Sequence, residues 1–371
     1  KQMALSFEGN LEEWGTWFKK YIYDNKPSVV VLFGADRPIH SIARDICNMY
    51  GIRVLCLEEG YFRPGFITFE EGGNNASSPL ANKLPPPDFN FSLEDFETNK
   101  NYIISKNSFR NKCWYGFLYY FRSQLWTASV QRKLFHKSLN LFQQAYYWPK
   151  NLFYWFKLRR SDINLFKDLL SQNYYVVALQ LDADMQSRFQ SNGWKKIDLI
   201  RETIESFVKK ASFDCNLVFK VHPLERGHYD HSRIIKEFAI KYGIEKRVFT
   251  IQTGSIGRWL KFSKGMITIN STSGFSAIYH GIPILLCGNA LYKNENLVYK
   301  LKNKSDLDNF WYEEVKATKA ERLRYLGWIR NESCVNGDFY TKVGREDAIK
   351  NIIEIIFNPR HSDNLGISAY D

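Results

Sequence analysis

Met266-Ile267-Thr268-Ile269-Asn270-Ser271-Thr272-Ser273-Gly274-Phe275-Ser276-Ala277-Ile278 reads as a buried strand, a hydroxyl-rich turn and the start of a helix. Such a turn presents backbone N–H groups, hydroxyls and the positive end of a helix to an anion. An ordinary N-cap explains the same residues, because Ser and Thr favour that position anyway. A second strand end lies upstream, where Leu217-Val218-Phe219-Lys220-Val221 leads into His222-Pro223-Leu224-Glu225-Arg226-Gly227. A histidine held between a strand and a proline can donate to a phosphate or protonate a leaving group, and Lys220 and Arg226 add positive charge. A satisfied loop histidine is the plainer reading. Two such turns in one half of the chain make the anion reading stronger than either alone.

Around these turns the chain alternates strand and helix. Short apolar runs at Tyr175–Leu181, Leu217–Val221, Val248–Ile251, Met266–Ile269 and Pro283–Leu286 suit parallel strands covered on both faces. The same rhythm appears earlier, with a run at 28–33, a helix over 38–50 and a run from Ile52 to Leu57, which predicts a doubly wound sheet there too. The fold class is therefore α/β, with two Rossmann-like domains facing a cleft where ligands meet the carboxyl ends of the strands. Ser77-Ser78-Pro79 and Pro85-Pro86-Pro87 mark a boundary. Residues 101–160 change character: rings alternate with Lys and Arg around Trp114 and Trp155, and the segment reads as helical, with Pro149 interrupting it. Asp347–Phe357 reads as a final amphipathic helix. The division is a first domain over 1–100, a helical basic-aromatic segment over 101–170, a second domain over 171–340, and a helix and tail over 341–371.

Composition narrows the partners. The chain has 371 residues, 44% hydrophobic and 24% charged, enough for two cores, and its formal charge of +12 should attract anions. Six scattered cysteines without a C-x-x-C pair suggest neither a zinc site nor a disulfide framework, which fits a reducing cytoplasm. No apolar run of about 18 residues and no signal-peptide pattern is present, so neither spanning nor secretion is expected. The basic-aromatic segment could pack between the lobes, rest on an anionic membrane or stack on nucleic acid. No nucleic-acid motif accompanies it, so membrane or lipid-acceptor contact ranks above nucleic acid.

Two further clusters bear chemistry. Gln180-Leu181-Asp182-Ala183-Asp184 ends a strand and reads as a D-x-D metal site, a catalytic carboxylate or a helix cap. Glu58-Glu59-Gly60-Tyr61-Phe62-Arg63-Pro64 runs into Phe66-Ile67-Thr68-Phe69-Glu70-Glu71-Gly72-Gly73-Asn74-Asn75, a polar loop suited to sugar hydroxyls and carboxylates.

Taken together, these motifs resemble those of the bacterial capsule polysaccharide biosynthesis proteins of the β-Kdo transferase type. The likeness runs from about Val29 to Tyr292. It rests on Phe33-Gly34-Ala35-Asp36-Arg37-Pro38-Ile39-His40, the Glu58 and Ile67 stretches, Leu179–Asp184, the His222-Pro223 turn with Arg226-Gly227-His228, and Ile269–Gly274 leading to Gly288–Tyr292. Family members usually carry an additional first strand and glycine-containing loop before the position matching Asn10, and this chain either lacks them or begins after them.

The resemblance implies a GT-B fold, CMP-β-Kdo as donor, retention of the anomeric configuration, and no metal or other cofactor. It implies Asp184 as nucleophile with Asp182 second, and a catalytic set of Asp184, His222 and Glu59. Lys220, His222, Pro223, Arg226, Asn270, Ser271, Thr272, Ser273 and Gly274 would hold the donor. Glu58, Arg63, Gln180 and Asp182 would meet the sugar or the acceptor, a glycolipid or glycan at the inner face of the bacterial inner membrane. A transferase for another CMP-sugar such as sialic acid, and a nucleotide-binding assembly protein without activity, are the rival expectations.

Overall fold

The computed structural model describes residues 5–62, 64–91, 108–126, 141–180, 190–226 and 230–358. Its strands are β1 Val29–Phe33, β2 Arg53–Glu59, β3 Phe66–Glu71, β4 Asn173–Ala178, β5 Cys215–Lys220, β6 Val248–Ile251, β7 Gly265–Thr268, β8 Ile284–Leu286, β9 Tyr299–Lys300 and β10 Cys334–Asn336. The chain forms two compact α/β units, one drawn from 1–79, 89–134 and 327–371, the other from 80–88 and 135–326.

The second unit carries a six-stranded sheet in the order β6-β5-β4-β7-β8-β9, every pair parallel. Its first strand lies inside the sheet; the chain builds outward through β5 and β6, then returns to the other side of β4 with β7, β8 and β9. That is the strand order of a Rossmann sheet, and its direction reverses between β4 and β7. All six residues of β5 and all four of β7 are buried, as strands covered on both faces must be. On one face Val177, Phe219, Ile267 and Leu285 pack with Ile200, Ile204 and Phe207 of the helix Lys196–Lys210. Each fully buried side chain of this size contributes roughly 1.5–3 kcal/mol.

The first unit differs from the doubly wound sheet expected for it. Its order is β1-β2-β3-β10, and only β1 and β2 are parallel; β3 runs antiparallel to β2, and β10 antiparallel to β3. The cause is connection length: β2 and β3 are joined by six residues, too few for the helical crossover that parallel neighbours require. Alternation still covers both faces. Val54 and Cys56 join the core under the helices Leu11–Asn25 and Pro38–Met49, while Leu55 and Leu57 join Ile67, Phe69, Val335 and Ala348 beneath the helix Lys342–Phe357.

Three other expectations are corrected. Phe66–Glu71 is a strand rather than a polar loop, with its four central residues buried. Pro149 lies inside one continuous helix, Leu141–Leu169, because it sits on an exposed face where water can replace the lost N–H donor. The expected domain boundaries also move. β10 and the helix Lys342–Phe357 complete the first sheet, so residues 327–340 do not belong with the second unit; the aromatic segment is shared, Ser108–Trp126 in the first unit and Leu141–Leu169 in the second. Trp114, Phe117 and Phe121 stack along the exposed side of the former, and Tyr146, Phe153 and Phe156 are exposed on the latter. Among the described residues, no helix is long and apolar enough to cross a membrane.

Candidate functional site

Three loops leave the carboxyl edge of the second sheet next to one another, following β4, β5 and β7. Gln180 lies just past β4, and its Oε1 accepts the Asn270 N–H at 3.0 Å, tying the first loop to the third across the reversal point of the sheet. In the third loop Ser271 Oγ bonds Ser273 Oγ at 2.7 Å and accepts the Ser273 N–H at 3.2 Å, while Thr272 is exposed. Gly274 follows at the start of the helix Gly274–His280. A Cβ there would stand 2.1 Å from the ring of Tyr292, whose hydroxyl donates to Ser271 O at 2.5 Å, so glycine lets the tyrosine close beneath the turn.

His222 caps the short 3-10 turn Pro223–Glu225: its Nδ1 accepts the Leu224 N–H at 3.2 Å. That nitrogen then carries no proton, so the neutral ring bears its proton on Nε2 and is a hydrogen-bond donor there. Pro223 sets the first position of the turn, a backbone role.

Lys220 and Arg226 do not flank His222 on the surface. Alternation along β5 sends Phe219 and Val221 to the helix-packed core, and Lys220 to the opposite face, where it is 4% exposed and donates to Val221 O at 3.0 Å. Burial, reinforced by the Arg226 charge and opposed by Asp162, pulls its pKa down to about 8. Arg226 is likewise buried; its guanidinium donates to Gln252 O at 2.8 and 3.1 Å and to Asn151 Oδ1 at 3.0 Å. The two cations thus lie beneath the edge, as a positive floor rather than as ligand clamps.

Sequence reasoning missed what fixes this floor. Asp162 Oδ2, on the helix Leu141–Leu169, accepts from the Gln252 and Thr253 N–H groups and the Thr253 hydroxyl at 2.8–3.0 Å. Asn151 of that helix donates to Pro223 O at 2.8 Å. Glu225 is buried with Lys196 at 2.6 and 2.7 Å and His231 at 2.9 Å, which anchors the turn after His222 to two helices. Glu225 was in view within the motif; its partners, 29 and 6 residues away, were not.

In the first unit the carboxyl ends of β1 and β2 carry acids. Glu58 accepts from Asn75 Nδ2 at 2.5 Å. Glu59 is held by Lys112 Nζ and the Tyr340 hydroxyl. Glu70, not singled out from sequence, is fully enclosed: Tyr61 donates to it at 2.6 Å and Ser78 bonds its other oxygen. Burial raises its pKa to about 8 against those two hydrogen bonds, with the Glu58 charge adding to the rise. His40 donates from Nδ1 to Gly34 O at 2.8 Å and closes the turn after β1.

Asp182, Asp184 and Arg63, with Gly227 and His228 of the His222 motif, lie outside the described residues. Among the described residues no group of three His, Cys, Asp or Glu side chains is placed to hold a metal ion.

A family model described as capsule polysaccharide biosynthesis protein matches residues 28–340. The capsule polysaccharide export protein KpsS of Escherichia coli is 31% identical over 341 residues, covering 91% of this chain and 85% of that protein. The capsule polysaccharide modification protein LipB of Neisseria meningitidis serogroup A is 28% identical over 357 residues, covering 92% and 81%. Among solved structures, the β-Kdo 2,7 transferase of Thermosulfurimonas dismutans KpsC matches with a TM-score of 0.44 and 13% identity over 95% of this chain and 90% of that one.

Proposed function

The chain belongs to the capsule polysaccharide biosynthesis protein family, and from that premise we propose that it is a retaining β-Kdo glycosyltransferase, using CMP-β-Kdo and a glycolipid or glycan acceptor in bacterial surface polysaccharide synthesis. The observation that carries this reading is the meeting of the Gln180, His222 and Asn270–Gly274 loops where the second sheet reverses direction, the place where open α/β sheets bind nucleotides.

In this scheme the donor phosphate receives hydrogen bonds from His222 Nε2–H and from the hydroxyls of Ser271, Thr272 and Ser273. Lys220 and Arg226 beneath them favour the negative charge that collects on the departing CMP, and burial strengthens their field. Asp184, four residues beyond Gln180, is the nucleophile. Its carboxylate oxygen bonds the anomeric carbon as the carbon–phosphate-oxygen bond breaks, its electron pair leaving with CMP. An acceptor hydroxyl then attacks the adduct from the opposite side, breaking the Asp184–carbon bond, releasing the Asp184 carboxylate and passing its proton to a solvent water, and the two inversions restore the β configuration. The scheme needs no metal and no cofactor besides the donor. Replacing Asp184 by Asn should abolish transfer from CMP-Kdo; near-normal turnover would remove it from the nucleophile's place.

We place the enzyme at the inner face of the inner membrane, with the exposed rings of Trp114, Phe117 and Phe121 on anionic lipid. Co-sedimentation indifferent to lipid charge would remove the membrane from the account. Competition between CMP-Kdo and CMP-sialic acid tests the choice of sugar. A second reading follows from the relative named as an export protein: a nucleotide-binding assembly role without transfer. Tight CMP binding with no donor consumption under any acceptor would favour it.

A further inference from the structure

Asn151 sits in the basic-aromatic segment, on the helix Leu141–Leu169 of the second unit. It is half-buried and makes two hydrogen bonds with one amide: Nδ2 donates to Pro223 O at 2.8 Å, and Oδ1 accepts from Arg226 Nη1 at 3.0 Å. A carboxamide offers a donor and an acceptor on one planar fork, so the two bonds fix its orientation together. About three helical turns further on, Asp162 leaves the same face of the helix and takes the Gln252 and Thr253 N–H groups. Arg226 closes the circuit, since its Nε and Nη2 donate to Gln252 O at 3.1 and 2.8 Å. One helix face therefore grips the loops after β5 and β6 through a ring of hydrogen bonds.

The Pro223 carbonyl is one end of a peptide plane whose other end is the Leu224 N–H. In a trans peptide the two point in opposite directions, so whatever holds the carbonyl also aims the N–H. The Leu224 N–H is the donor that His222 Nδ1 accepts at 3.2 Å. A hydrogen bond received at Nδ1 selects the imidazole tautomer with its proton on Nε2. The path from Asn151 to the ring is thus two hydrogen bonds and one rigid plane. Glu225 steadies the other end of the turn through Lys196 and His231.

We propose that Asn151 is the positioning residue of His222: by holding the Pro223 carbonyl it aims the Leu224 N–H at Nδ1 and keeps the ring proton on Nε2. This rests on the transferase reading, in which that proton is given to the donor phosphate. Leucine in place of Asn151 keeps the size and removes both bonds. Aspartate keeps an acceptor for Arg226, now as an ion pair, and loses the donor to Pro223 O. Arg226 retains its two bonds to Gln252 O in either variant.

The test reads the ring directly, by proton–nitrogen NMR spectra of the chain carrying isotope-labelled histidine, recorded above the histidine titration range, with His222 assigned by its disappearance in His222→Ala. The wild type should show the proton on Nε2. Asn151→Leu and Asn151→Asp should both show a mixture of the two tautomers, although the aspartate variant, paired with Arg226, should keep its urea midpoint. A merely structural residue predicts an unchanged ring in whichever variant stays folded. By calorimetry Asn151→Leu should weaken CMP binding roughly three- to tenfold, the range for one neutral hydrogen bond. In the His222→Ala background the same change should cost less than about twofold. A wild-type ring protonated on Nδ1, or a ring unchanged in both variants, would overturn the inference, whatever the wild type does with CMP-Kdo. Equal losses of CMP affinity with and without His222 would overturn it too. A wild-type chain that binds no CMP would overturn the transferase reading, and this inference with it.

Discussion

The two sheet edges are built with opposite charge and one common device. In the second unit Lys220 and Arg226 are drawn under the edge, and hydroxyls and His222 form its rim; in the first, Glu70 is drawn under the edge and Glu58 stands at the rim. Burial acts on both buried groups against their charge, pulling the Lys220 ammonium down and pushing the Glu70 carboxyl up, each to about 8. The difference teaches which ligand each edge suits. A positive floor with donor groups above it suits a phosphate. The first edge instead keeps its buried acid on two hydroxyls, those of Tyr61 and Ser78, with Glu58 partly exposed above it.

The comparison can be broken first at Asp162, the acid that balances the positive floor. Replacing it with Ala leaves the Gln252 and Thr253 N–H groups without their acceptor and removes the nearest negative charge from Lys220 and Arg226. Removing one partner from a buried charged network costs about 3–5 kcal/mol, and chemical denaturation should show a loss of that order. A loss under about 1 kcal/mol would mean the floor is supported in another way.

Next in size is pH. Lys220 has its folded pKa lowered to about 8 from 10.5, so between those values the unfolded chain binds more protons and stability should rise with pH. The full effect corresponds to about 3 kcal/mol. Glu70 has its folded pKa raised to about 8 from 4.5, so over that interval the folded chain binds more protons and stability should fall as pH rises. Urea midpoints across pH should therefore lose the alkaline rise in Lys220→Met and the neutral fall in Glu70→Gln. Variant profiles parallel to the wild type would refute the buried charges as described. The smallest expected effect is at the rim: His222→Ala should weaken CMP binding by about tenfold, the value of one hydrogen bond to a charged group, with a loss of about 1 kcal/mol of stability from the turn cap that the ring also supplies.

Much of this architecture was legible in the chain. The apolar runs ending at Val221 and Ile269 read as parallel strands because both faces of such strands are covered, and the residues after them read as edge loops for the same reason. The order of the strands was not legible, since it depends on which runs pair across long separations, and only the order places those loops side by side. Phe66–Glu71 hid as a loop because Thr68, Glu70 and Glu71 look solvated; Tyr61 and Ser78, brought in by the fold, make a buried Glu70 tolerable. Lys220 was given to the ligand because strand alternation predicts a face, not what covers it, and here the covering helix Leu141–Leu169 supplies Asp162. The three residues of β10 are too short a signal to place in the first sheet from sequence.

The central claim is that the second unit's edge binds an activated sugar that the chain then transfers. Mass spectrometry of the products formed from CMP-β-Kdo and the acceptor panel tests it most directly. The account predicts release of CMP and an acceptor heavier by one β-linked Kdo, with both products missing in Asp184→Asn. CMP bound but CMP-Kdo left intact with every acceptor would contradict it.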